Sequence, residues 1–140
     1  MKHIALILGL FLAFSTPAFA VEVEEKVDKE LGEELVALAN VVGHGALDGG
    51  WREDGFFIYQ LWGESYGTKG WFAVNPWTGD VWDTMAGPNC KHYTTPALAK
   101  EQEQIKKRFT KAELKEYKHL SELKPRRLYD LELCGSPEEK

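Results

Sequence analysis

Between Glu24 and Val42 the apolar residues Val27, Leu31, Leu35, Leu38 and Val42 recur every three or four positions, with acidic residues among the polar positions between them. That spacing predicts an amphipathic helix ending at Gly43, a residue suited to the left-handed conformation that closes helices. The pattern then breaks. Residues 44–55, HGALDGGWREDG, are rich in glycine and aspartate and predict a loop. Three segments dense in β-formers follow: FFIYQLW (56–62), WFAVN (71–75) and DVWDT (80–84), separated by GESYGTKG and PWTG. They predict a three-stranded antiparallel meander. In the tighter turn, Pro76 suits the first inner position and Gly79 supplies a positive φ.

Beyond Cys90 the period becomes helical again. Thr95 followed by Pro96 predicts a helix start, with Leu98, Ile105 and Phe109 on one face. Thr110 and Glu113 have the spacing of a capping box that opens a second helix carrying Leu114, Tyr117, Leu120 and Leu123 and stopped by Pro125. In the tail, Tyr129, Leu131 and Leu133 alternate with Asp130 and Glu132, a pattern open to a short strand or a helical turn; residues 136–140 are expected to fray. The expected fold is α+β: an N-terminal helix packed on a three-stranded antiparallel sheet, followed by a C-terminal helical hairpin tied by one disulfide.

The chain's first twenty residues, MKHIALILGLFLAFSTPAFA, alter the reading of compartment. Lys2, an apolar run from Ile4 to Phe14 and the small-residue ending Ala18-Phe19-Ala20 predict a signal peptide, residues 1–20, cleaved after Ala20. That run is too short to span a bilayer, and no second apolar run of about 18 residues occurs. The expected product is residues 21–140, a single α+β domain with a helical extension, in a bacterial periplasm. Cys90 and Cys134 then meet oxidising conditions and are expected to pair. Cleavage removes one lysine and takes the net charge from −5 to −6, which excludes a strongly basic nucleic-acid binder. Residues 21–55 are acidic, and residues 100–127 carry ten Lys or Arg against five acids.

Catalytic chemistry is poorly provided for. His119 has no H-E-x-x-H partner, His44 follows a predicted helix end, and His92 lies two residues from a cysteine expected to be oxidised. Asp80, Asp83 and Glu64 could form a carboxylate pair, but carboxylates beside turns commonly cap their own backbone. No catalytic residue, metal or cofactor is expected.

The turn Val74-Asn75-Pro76-x-Thr78-Gly79-Asp80-Val81, preceded by a helix and two strands, resembles the PepSY-type domain of exported bacterial proteins and metalloprotease propeptides over residues 24–84. Asn75 stands where that family often has Asp. The resemblance implies a binding or inhibitory module and not an enzyme. All five tryptophans, Trp51, Trp62, Trp71, Trp77 and Trp82, lie in or beside the predicted sheet, and one face of three short strands cannot cover them together with their Phe and Tyr neighbours. They are therefore either core between two covered faces or an exposed recognition patch. The candidate partner-binding residues are Trp77, Trp62, Trp71, Trp82, Tyr66 and Asp80, with Trp77 at the turn tip expected to be the most exposed. The expected function is to bind and inhibit another exported protein, as inhibitors and immunity proteins do; a basic cell-wall hydrolase fits the charge. The alternative is a glycan- or peptidoglycan-binding module that stacks sugars on the same tryptophans.

Overall fold

The computed structural model describes residues 22–39, 42–43, 45–65 and 67–135. The expected signal peptide, His44, Tyr66 and residues 136–140 lie outside the described residues. Among the described residues are three α-helices and one five-stranded antiparallel sheet: α1 (Lys29–Leu38), β1 (Ala46–Glu53), β2 (Phe56–Trp62), β3 (Thr68–Val74), β4 (Val81–Asp83), β5 (Lys91–His92), α2 (Pro96–Lys106) and α3 (Tyr117–Ser121), with a 3₁₀ turn at Glu113–Glu116 before α3. The strands pair in chain order.

This corrects the expected three-stranded sheet with its N-terminal helix and C-terminal helical hairpin. The segment expected to be a loop is an edge strand. Asp54 and Gly55 both take positive φ, 49° and 85°, so they form a two-residue turn that folds β1 back on β2. An irregularity at Gly49–Gly50 interrupts the register and dilutes the alternation that would otherwise mark a strand. The fifth strand is only two residues long, with His92 opposite Trp82 and Lys91 opposite Asp83.

The first helix is also shorter than its sequence period. Residues 22–28 lie outside the helix, and the Lys26 and Val27 N–H groups both donate to the Pro76 carbonyl at 2.9 Å. Asp28 then caps α1 by accepting from Leu31 N–H at 2.8 Å. Thr95 caps α2 and also donates its hydroxyl to the Leu38 carbonyl at 2.7 Å, tying the two helices together. Thr110 and Glu113 form a reciprocal capping box at 2.8 and 3.2 Å, but it opens the 3₁₀ turn and the five-residue α3, not a full second helix. The tail is neither a strand nor a helix; it doubles back through a single bridge between Arg126 and Leu133.

Alternation along the strands sorts side chains between two faces. On one, Phe57, Tyr59, Leu61, Phe72, Val74 and Val81 pack under the helices against Leu35, Val36, Leu98 and Ile105. On the other, Phe56, Ile58, Ala73 and Trp82 lie under the tail, where Leu123 and Cys134 cover them. The Cys90–Cys134 disulfide fastens that cover to the sheet. Arg126 reaches Asp54 at 3.0 Å, and the Leu128 N–H reaches the Thr84 carbonyl at 3.1 Å.

Candidate functional site

The tail covers only half of the sheet's second face. Its limit is a small cleft of about 40 Å³ between Ile58 and Trp71 on the sheet and Pro125, Leu128 and Leu131 on the tail. Beyond it Trp51 is 37% exposed and Trp62 39% exposed, with Trp71 half-buried between covered and open regions. Trp51 sits opposite Ile58 and Trp71 opposite Gln60, so rings from β1 and β3 reach towards each other over β2. Their centroids are 5.4 Å apart at 67°, an edge-to-face pair. The Trp51 indole N–H donates to Glu53 at 3.1 Å, and the Gln60 amide donates to the Thr68 hydroxyl at 2.6 Å. Two donors of the patch are thereby partnered within it, and most of what the patch offers is ring carbon.

Of the candidate residues, the structure brings Trp62 and Trp71 onto this open half. Trp82 is elsewhere: only 8% exposed, it lies beneath the tail with the Lys124 ammonium 4.5 Å from its ring and the His92 ring 4.5 Å away. Trp77 is not the exposed tip expected from its turn position. It is half-buried, packs against the helix-side core and donates its indole N–H to the Val23 carbonyl at 2.9 Å. Asp80 is a turn residue, accepting the Thr78 hydroxyl at 2.6 Å and facing His92 Nε2 at 3.3 Å. Tyr66 lies outside the described residues.

The residue missed is Trp51. The signal that could have placed it was the Asp54-Gly55 dipeptide, a strong hairpin signal that makes the preceding residues a strand. Read so, Trp51 alternates onto the same face as Ile58.

Chemistry of bond making is sparse around the patch. Asp83 is half-buried on the opposite face, its carboxyl pushed above its ordinary value by burial, and it accepts the Met85 N–H at 2.9 Å. Among the described residues no group of three His, Cys, Asp or Glu is placed to hold a metal ion, and no helix is long and apolar enough to cross a membrane.

No family model and no curated protein matches the chain. A solved structure described as a type VI secretion system effector-immunity complex from Pseudomonas protegens contains a chain 19% identical to this one, aligned over 67% of this chain and 88% of that chain with a TM-score of 0.47.

Proposed function

We propose that this protein binds another exported protein and inhibits it, using Trp51, Trp62 and Trp71 as the docking face. The observation that carries the reading is the uncovered half-face: two tryptophans more than a third exposed beside a third that is half-buried, on a sheet whose other half has its own disulfide-fastened cover. Apolar aromatic surface left open on one sheet face of a small domain is a recurrent mark of an interaction surface. Tryptophan suits the role because it buries much area while losing few rotors. Export is part of the proposal and rests on residues 1–20 and on a disulfide that suits an oxidising compartment. Binding without catalysis is likewise a proposal, as is the resemblance of residues 24–84 to PepSY-type domains.

Stacked sugars fit this face less well. A saccharide platform offers a flat ring with free polar groups beside it, whereas Trp51 and Trp71 meet at 67° and the Gln60 amide is already bonded. The test is capture from envelope extracts by tagged residues 21–140, run beside Trp62→Ala. The expected result is one exported enzyme retained by the wild type and lost with the variant, whose purified activity then falls on titration with the wild type at equimolar ratio. Retention of wall fragments instead, or equal retention by the variant, overturns the reading.

A further inference from the structure

Away from the tryptophan face, a groove of about 760 Å³ opens beside the turn that joins β3 to β4. Its floor is apolar, made by Trp77, Val23 and Leu120. Its rim is acidic, made by Glu22, Glu24, Glu25 and Glu116, with His119 at the edge.

The walls are fixed. Lys26 and Val27 donate to the Pro76 carbonyl, and Trp77 donates to the Val23 carbonyl, so the segment before α1 and the turn are laced together beside the groove. Because that indole N–H is already taken, Trp77 contributes ring carbon and π density to the space. Of the nearby cations, Lys26 holds Glu113 at 2.8 Å and Arg108 donates to the Lys26 carbonyl at 3.4 Å, while Arg52 pairs with Glu25 of the rim itself and so neutralises one of its four carboxylates. Among the described residues Glu22, Glu24 and Glu116 take part in no ion pair, and no Lys or Arg lines the groove.

We infer that this groove receives a lysine or arginine side chain from a basic segment of the partner. The inference rests on the protein-binding reading above and gives the partner a stated chemistry. An apolar floor beneath a carboxylate rim complements a side chain whose alkyl stem is greasy and whose head is cationic. The stem lies on Leu120 and the rim of the Trp77 side chain, and the head meets the glutamates over the indole face, where a cation is attracted by the ring quadrupole. Other ligand classes fit worse. A bare metal ion needs several converging ligands, which the described residues do not supply here. An anion is repelled by the rim, and a purely apolar side chain would desolvate carboxylates without partnering them. The acidic stretch from Glu22 to Glu34 extends the same field outwards and speeds encounter with a basic surface.

The test uses residues 21–140 labelled with nitrogen-15 and titrated with a capped penta-arginine peptide, with a capped penta-serine peptide as control. The expected result is saturable movement of the Trp77 indole signal, identified by its loss in Trp77→Phe, together with amides of residues 22–25 and 116–120. High salt weakens that binding, and Glu24→Gln combined with Glu116→Gln weakens it by about tenfold, the worth of one well-placed cation contact. Glu24 is exposed and Glu116 half-buried, and among the described residues neither carboxylate holds a hydrogen bond or an ion pair, so the double variant keeps the fold. No movement, movement spread evenly over every acidic face, or unchanged affinity in the double variant overturns the inference. Failure of the arginine peptide while a partner still depends on Trp62 removes the groove assignment and leaves the function proposal standing. Groove binding without any Trp62-dependent partner does the reverse.

Discussion

Trp51 and Trp71 meet edge to face, 5.4 Å apart, although their strands are not neighbours and β2 runs between them. The pair roofs Ile58 and Gln60 and gives the open half of the sheet a rigid aromatic ridge. Trp51→Ala removes one ring and the support of the other. Partner affinity should fall by on the order of 2 kcal/mol, as for a central interface anchor. Thermal stability should fall by only about 1 kcal/mol, since the residue is already 37% exposed. Calorimetric titration beside a melting curve separates the two; a large drop in melting temperature with unchanged affinity would mark the pair as packing alone.

Trp77 behaves differently, because its indole N–H holds the Val23 carbonyl. Trp77→Phe keeps most of the ring but leaves that carbonyl without its partner. We expect a stability loss of about 1 kcal/mol, the typical net worth of one internal hydrogen bond. Trp77→Ala should lose several times more. Urea midpoints measure both, and a Trp77→Ala midpoint equal to wild type would restore the exposed-tip expectation.

Asn75 explains why the turn beside it is so rigid. Fully buried, it accepts the N–H groups of Trp77 and Thr78 at 2.9 and 3.1 Å and donates its amide to the Leu120 carbonyl at 2.8 Å. Asn75→Asp removes the donor and sets a carboxylate against a carbonyl oxygen. The expected cost is roughly 3 kcal/mol at neutral pH, smaller in acid where a protonated Asp can donate again. Equilibrium unfolding at both pH values checks it; a pH-independent loss would show that the contact with Leu120 is not what Asn75 supplies.

Much of the local structure was legible because its causes are local. The Asn75 to Asp80 turn, closed by Asn75 N–H on the Asp80 carbonyl with Gly79 at a φ of 77°, announces itself in consecutive residues. A Cβ at Gly79 would also meet Ile105 at 2.8 Å, a constraint that no neighbouring residue reveals. Thr95, Thr110 and Glu113 cap where their spacing says, because a cap needs only the next three residues. What stayed hidden depends on distant contacts. The apolar period of the first helix continues through residues 24–28, yet those residues are not helical, and Pro76 takes the N–H groups of Lys26 and Val27. Strand β1 is mostly polar because an edge strand packs little. The fate of each tryptophan was unreadable for the same reason: Trp82 is buried and Trp62 is not because of the path of a tail fifty residues further on.

That path is fixed at its end by the disulfide, which bridges a sequence separation of 44 residues. Cys134→Ser should cost about 4 kcal/mol from the entropy regained by the unfolded chain. It should also loosen the cover over Phe56, Ile58 and Trp82, so binding of a hydrophobic dye rises before global unfolding. Denaturation of the variant, and of the wild type with a strong reductant, should give matching losses. If the reduced wild type unfolds at the same urea concentration as the oxidised protein, the tail is held by its other contacts and the bridge is incidental.

Lys26 and Glu113 make the fold sensitive to acid. The Glu113 carboxyl is lowered from its ordinary 4.5 to about 2, chiefly by the Lys26 ammonium and then by the Thr110 N–H. A depressed carboxylate stabilises the folded state fully above its unfolded value, and the contribution disappears as pH falls from about 4.5 through about 2. Asp83 works in the opposite sense. Burial raises its carboxyl above the ordinary 3.8, so the folded state holds its proton more tightly and loses stability as pH rises through that range. Melting temperature against pH should therefore fall below about 4.5 in the wild type. Glu113→Gln should flatten that acid limb by removing the depressed group, while Asp83→Asn should steepen it by removing the group that protonation favours. If Glu113→Gln leaves the acid limb unchanged, the pair with Lys26 is not what holds the fold at low pH.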